Sequence, residues 1–238
     1  MTRRRDFLAR LGLAAAVLGI DMDELRGQSA VRPGSPWDTS WLERLAGARY
    51  RVVFNANVID DGGVFSYVST FLDHFHDVHN TTDAETVPVV VFRRLGTSMA
   101  ANDHLWDRYE VGADSKIDDP DTKSPARRNV FWRAGRSGGN SATIETLHKR
   151  GMVSLVCNVS LGNMGRRWAE RTQQDIDQVQ AEVRANLVPG AIVVPSGIYA
   201  LIRAQNAGCA FMLGTCYHGR TPARTEGPYP FSRCLTSA

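Results

Sequence analysis

Short apolar runs and helical apolar spacings alternate along the chain from about residue 49 onward. Continuous runs rich in β-branched residues are typical of strands buried on both faces of a sheet. These runs predict five strands, at residues 50–54, 87–92, 152–156, 191–194 and 209–213.

Apolar residues spaced three and four apart predict the helices between these strands. The clearest helix covers residues 62–79, and two others are expected over residues 99–109 and 141–150. A further helix is expected to begin between residues 160 and 167. Thr172, with Asp175 three residues on, is expected to cap a further helix, and Ser196 caps the last one before Gly208. Alternating strands and helices predict an α/β domain over residues 49–213, with a mostly parallel five-stranded sheet covered on both faces.

Three segments lie outside this alternation. Residues 31–48 contain a Pro/Gly/Ser-rich linker and the segment that leads into the domain. Residues 110–140 are polar and rich in Asp, Pro, Gly and Arg, which is typical of a functional or disordered loop. Residues 214–238 have no apolar periodicity and are predicted to form an extended C-terminal tail.

The N-terminus has the order of features found in a twin-arginine export signal. Arg4-Arg5-Asp6-Phe7-Leu8 matches the motif, and the apolar run 11–20 that follows is too short to span a bilayer. A signal peptide is therefore predicted over residues 1–30, which places the protein in the periplasm or another extracytoplasmic compartment. Cleavage would leave no stable membrane span, whereas an uncleaved signal would tether the protein. The alternative is a basic arm on a cytoplasmic helix.

Composition excludes several functional classes. The 238 residues are 43% hydrophobic and 22% charged, as in ordinary globular proteins, and a net charge of +3 without a basic stripe does not favour nucleic acid. The sequence has no CxxC pair, dinucleotide-binding fingerprint, P-loop or nucleophile elbow, so no cofactor is predicted. No metal is predicted either, because on a helix His74 and His76 point almost opposite ways.

Candidate chemistry lies at the carboxyl ends of the strands, where parallel α/β sheets bind ligands. Cys157 directly follows the third predicted strand and precedes a helix, an environment that lowers a thiol pKa, although it could also be a small core residue. The other candidate ligand-binding residues at these ends are Asn55, Asp61, Arg93, Asn158 and Ser196.

The remaining cysteines have different expected roles. Cys209 lies inside an apolar strand and is predicted to be a core residue. Cys216 and Cys234 lie in the tail, where an exported protein could join them by a disulfide.

Several short motifs resemble exported members of the DsrE/DsrF-like sulfur-relay superfamily. Their order and spacing carry the resemblance, which spans roughly residues 37–213. The motifs are WDTSWLERL (37–45), NDHLWDRYEVG (102–112), LHKRGMVSLVCN (147–158), LVPG (187–190), VPSGIY (194–199) and QNAGCA (205–210).

The resemblance implies a three-layer α/β/α, Rossmann-like fold and a homo- or hetero-oligomer. In active family members a cysteine at a strand end carries persulfide sulfur between proteins, and Cys157 occupies the matching place. A protein sulfur donor or acceptor would then be a partner. Two departures from the pattern are the export signal and the extra segments 110–140 and 214–238. The alternative function is a non-catalytic module that binds a small ligand or protein, or an oligomeric scaffold.

Overall fold

A computed structural model describes residues 34–136 and 141–215. The predicted signal peptide and the predicted Cys216–Cys234 disulfide lie outside the described residues. Within the described ranges, no helix is both long and apolar enough to cross a membrane.

The centre of the fold is a five-stranded sheet in the order β4-β3-β2-β1-β5, and every pair of neighbouring strands is parallel. The strands form where the sequence predicts continuous apolar runs. They are β1 (Tyr50–Ala56), β2 (Thr86–Phe92), β3 (Val153–Cys157), β4 (Ala191–Val194) and β5 (Ala210–Leu213).

Helices connect the strands and cover both faces of the sheet. They are α1 (Trp41–Ala46), α2 (Gly63–His79), α3 (Asp103–Arg108), α4 (Val111–Ser115), α5 (Ile144–Lys149), α6 (Asn158–Thr172), α7 (Ile176–Ala185) and α8 (Gly197–Asn206). Two 3₁₀ turns, Asp60–Gly62 and Arg94–Ala100, follow β1 and β2.

Alternate strand residues enter two hydrophobic cores, which makes the fold a three-layer α/β/α structure. On one face, here called the α6 face, Phe54, Phe92 and Val156 pack against α2, α3, α5, α6 and α7. On the opposite α8 face, residues such as Val91 and Leu155 pack against α1 and α8. The mostly parallel α/β fold that the sequence predicts is therefore confirmed.

Several predicted helix boundaries are wrong. The predicted helix 99–109 is a 3₁₀ turn followed by α3, because the Asn102 side chain accepts a hydrogen bond from the Leu105 amide and caps α3. Thr172 ends α6 instead of starting α7, whose cap is Asp175, with its Oδ1 2.9 Å from the Gln178 amide nitrogen. The Ser196 cap of α8 is confirmed.

Two segments predicted to lie outside the domain contribute to its core. Trp41 and Leu45 of α1 are fully buried, so packing begins before residue 49. Much of the polar segment 110–140 is also packed. It contains α4 and buries Val130 and Phe131 against the α6-face core.

Candidate functional site

Cys157 joins β3 directly to α6. Its backbone is extended, and its Sγ accepts a hydrogen bond of 3.4 Å from the Ser160 amide, so the thiol caps the 15-residue helix. The cysteine is 5% exposed. The helix begins earlier than the predicted range 160–167, and its first backbone amides point toward the sulfur.

Arg93 lies beside Cys157 at the end of the neighbouring strand. Phe92 of β2 pairs in register with Val156 of β3. The next residue of each strand, Arg93 and Cys157, is therefore adjacent to the other. Arg93 and Cys157 each lie two residues after a residue of the α8-face core, Val91 and Leu155 respectively. Their side chains therefore lie on the α8 face as well. A guanidinium group and a thiol therefore share one face of the sheet at its carboxyl edge.

The N-terminus of α8 lies against Arg93. Gly197, the first residue of α8, is so close that an added Cβ would lie 3.0 Å from the Arg93 Cβ. A side chain at position 197 would require the arginine to shift by a few tenths of an ångström. The Ser196 hydroxyl oxygen accepts a hydrogen bond of 3.1 Å from the Tyr199 amide, which fixes the start of the helix.

The crevice of this sheet lies between the ends of β3 and β4. From β3 the chain turns into α6 on one face, whereas from β4 it turns into α8 on the other. Ligands of open α/β sheets bind where neighbouring connections diverge in this way. Two helix N-termini and Arg93 surround the point of divergence, and this arrangement favours a small anion.

Asn55 lies on the same face, at the end of the next strand. It pairs in register with Val91, two residues before Arg93, and is 8% exposed. Asn57 follows two residues on and lies beside Arg93, because Ala56 pairs with Phe92. The Oδ1 atoms of both asparagines are buried without a hydrogen-bond partner among the described residues.

Two other predicted ligand residues face different surroundings. The Asn158 Oδ1 accepts a hydrogen bond of 3.1 Å from Arg184 of α7, so its amide is engaged on the α6 face. Asp61 is exposed in the turn that leads to α2. It has a left-handed backbone, as do Asp60 and Gly62 on either side of it.

Arg166 and Arg167 of α6 add no positive charge at this edge. Arg166 lies eight residues into α6, which places it about 12 Å along the axis from the helix start. Both arginines are exposed. Arg94 is exposed as well, and its amide donates a hydrogen bond of 2.9 Å to the Ser160 hydroxyl.

Cys209 has a different environment. It precedes β5 at the amino-terminal edge of the sheet, is 7% exposed and belongs to the α8-face core, as predicted. Burial raises the pKa of its thiol to about 11, although Arg51 partly opposes the shift. This thiol is protonated at neutral pH.

A cleft of about 730 Å³ also lies at the amino-terminal edge, away from Cys157. Its lining includes Glu43, Arg51 and Arg203. We assign the candidate site to the carboxyl edge instead, because the thiol, the guanidinium and the helix N-termini meet there. The described residues contain no group of three or more His, Cys, Asp or Glu side chains able to hold a metal ion.

Sequence reasoning missed Asn57 and Gly197. Asn57 lies just past the end of β1, but its spacing of two from Asn55 was a usable signal. Gly197 starts a helix, and nothing in its local sequence indicates that Arg93 packs against it.

Comparison with known proteins assigns no activity to the chain. No protein-family model matches it, and no curated protein does. One similar solved structure is a protein of unknown function, MTH1491 from Methanobacterium thermoautotrophicum, with 18% sequence identity and a TM-score of 0.37. That similarity covers 69% of this chain and 98% of the other.

Proposed function

We propose that this is an exported DsrE/DsrF-like protein that accepts sulfane sulfur from an anionic donor and carries it as a persulfide on Cys157. One observation carries the proposal. The Cys157 thiol caps α6 beside Arg93, whose side chain packs against the start of α8. Arg93 and two helix N-termini would stabilise the negative charge of an incoming donor and of the persulfide product.

The proposed step is a transfer of one sulfur atom. The Cys157 thiolate attacks the outer sulfur of thiosulfate, a new S–S bond forms, and the old S–S bond breaks with its electron pair leaving on sulfite. Sulfur and charge balance without an added oxidant or reductant. With inorganic polysulfide the leaving group is the polysulfide shortened by one sulfur.

Intact mass spectrometry after incubation with thiosulfate or polysulfide tests the proposal. We expect one added sulfur, about 32 Da, which peptide mapping assigns to Cys157 and which dithiothreitol removes. Cys157→Ser should abolish the addition. Cys209→Ser is the matched control, since Cys209 is also a buried free cysteine, and it should load like the wild type. If the wild type gains no sulfur from either donor, the carrier function is wrong.

A non-catalytic binding module or oligomeric scaffold is the second candidate, and two observations favour it. Cys157 is 5% exposed, so only small reagents would reach its sulfur. The edge strand β5 also exposes Phe211, Met212 and Leu213 by 45–52%. An exposed apolar edge of this kind is typical of a surface that pairs with another chain.

Oligomeric state separates this candidate from a monomeric carrier. Light scattering coupled to gel filtration should show a homo-oligomer that Phe211→Glu with Leu213→Glu converts to monomers. Ile202→Glu, which changes an exposed apolar residue of α8, is the control and should leave the mass unchanged. A wild-type monomer would exclude the scaffold.

A further inference from the structure

Two unpaired amide oxygens lie on the same face of the sheet as Cys157. They belong to Asn55 and Asn57, at the carboxyl end of β1. Side chains two residues apart on an extended chain point to the same face, and Val53, two positions earlier, packs in the α8-face core. Asn57 therefore lies level with Arg93 and Cys157, and Asn55 lies on the same face two residues deeper in the sheet, level with Val91.

Unpaired oxygens of this kind call for an explanation. A buried acceptor without a partner costs free energy, and native structures leave few of them. The described residues contain three other buried polar atoms without a partner, the Trp41 Nε1 donor and the hydroxyl oxygens of Thr81 and Thr97. The asparagine oxygens differ because both come from one strand end and share the face that carries the candidate thiol.

We propose that Asn55 and Asn57 form a subsite for the N–H or O–H groups of an organic sulfur donor, a low-molecular-weight thiol persulfide. This inference rests on the carrier function proposed above and names its substrate class. The Cys157 thiolate attacks the terminal sulfur of the persulfide, the donor S–S bond breaks, and the electron pair leaves on the organic thiolate. Cys157 becomes the persulfide, and the two asparagines hold the organic part.

The spacing of the strands fits a donor of limited size. Asn57 and Cys157 are separated by two strand intervals, with Arg93 between them, which is about 10 Å. An extended tripeptide spans about the same distance. A tripeptide persulfide such as that of glutathione could place its sulfur at Cys157, its charge near Arg93 and its amide groups at the asparagines.

Single-turnover loading with two donors tests the subsite. Glutathione persulfide and inorganic tetrasulfide are each mixed with the full chain, and the gain of sulfur on Cys157 is followed by mass spectrometry. Asn55→Leu and Asn57→Leu should each slow loading from glutathione persulfide about tenfold, the effect of losing one hydrogen bond. Loading from tetrasulfide should not change, because it has no groups for the asparagines to bind.

Two further variants serve as controls. Asn57→Gln keeps an uncharged acceptor oxygen and should keep more of the loading rate with glutathione persulfide than Asn57→Leu. Thr81→Val removes a buried unpaired oxygen in the loop before β2, at the opposite edge of the sheet, and should change neither rate.

The outcomes separate this subsite from the carrier function. If both leucine variants load from both donors at the wild-type rate, the subsite is wrong and the carrier function stands. If the wild type loads from no donor, the carrier function fails. Binding of unreactive S-methylglutathione, measured by calorimetry, then decides the subsite: weaker binding by Asn55→Leu supports it, and unchanged or absent binding overturns it.

Discussion

Arg128 donates two hydrogen bonds to the Asp119 carboxylate, from Nε to Oδ2 at 2.6 Å and from Nη2 to Oδ1 at 3.0 Å. The carboxylate side chain is 8% exposed. This pair lies within the segment that the sequence predicts to be a polar loop. It fixes the turn between Ile117 and Ala126, which are both buried in the α6-face core.

Asp119→Asn should therefore destabilise the fold. Loss of charged hydrogen bonds to a buried carboxylate should lower the free energy of unfolding by about 2 kcal/mol, measured by urea titration at pH 7. Asp121→Asn is the matched control, because that side chain is 67% exposed and also contacts Arg128. An equal effect of both changes would contradict the role given to the buried pair.

The same pair predicts how stability depends on pH. Hydrogen bonds from Arg128 lower the pKa of Asp119 below its ordinary value of 3.8, against the opposing effect of burial. The unfolded chain thus binds this proton more readily than the folded one. The stability from Asp119 is fully present above pH 3.8 and is lost as pH falls through the lower folded pKa. The difference in the free energy of unfolding between the wild type and Asp119→Asn should become smaller as the pH falls through that range.

The strands were predictable because a parallel sheet buried on both faces needs continuous apolar runs. The packing of residues 110–140 could not be predicted from the sequence. Its buried residues Val130 and Phe131 follow no period, and some of its polar side chains bond to residues outside the segment. The Asn129 amide, for example, donates hydrogen bonds of 2.7 Å to the carbonyls of Met99 and Ala101. Such pairing across distant residues leaves no local signal.

The candidate site was predictable only in part. Cys157 and Arg93 end apolar runs, so their place at the carboxyl edge follows from the strands alone. Their adjacency depends on the strand order, which places β3 beside β2. Asn158 shows the limit of sequence position, because helix geometry turns its amide toward Arg184.

Asn55→Leu should stabilise the ligand-free protein. The substitution removes a buried oxygen that has no partner and replaces it with an apolar group of similar size. The free energy of unfolding should rise by about 1 kcal/mol, seen as a higher midpoint in urea. Asn158→Leu is the control, since its oxygen is bonded to Arg184, and it should give no gain. Destabilisation by Asn55→Leu would show that its amide already has a structural partner.

We predict that the first residues of the sequence direct export. Residues 1–40 fused to a folded reporter should send it across the membrane by the twin-arginine route, because Arg4-Arg5-Asp6-Phe7-Leu8 matches the motif. Replacing Arg4 and Arg5 with Lys should stop export, measured by cell fractionation. Replacing Arg10 with Lys is the matched control and should leave export intact. Normal export of the double variant would exclude the predicted route.

Cys157 should be the first of the two buried free cysteines to react with iodoacetamide in the folded protein. Both are buried, at 5% and 7% exposure, so burial alone predicts similar protection. Their chemistry differs, because Cys157 caps α6 beside Arg93, whereas burial raises the pKa of Cys209 to about 11. Helix N-termini near cationic side chains are the usual setting of reactive thiols.

Peptide mapping at pH 8 measures the order of modification at each cysteine separately. Cys209 should stay unmodified until urea unfolds the chain, because its thiol is protonated at that pH. Arg93→Gln should slow the reaction at Cys157 without altering that of Cys209, since only Cys157 lies beside the guanidinium. Reaction of Cys157 only after unfolding would make it a core residue. The carrier function would then be excluded, and the non-catalytic binding module would remain.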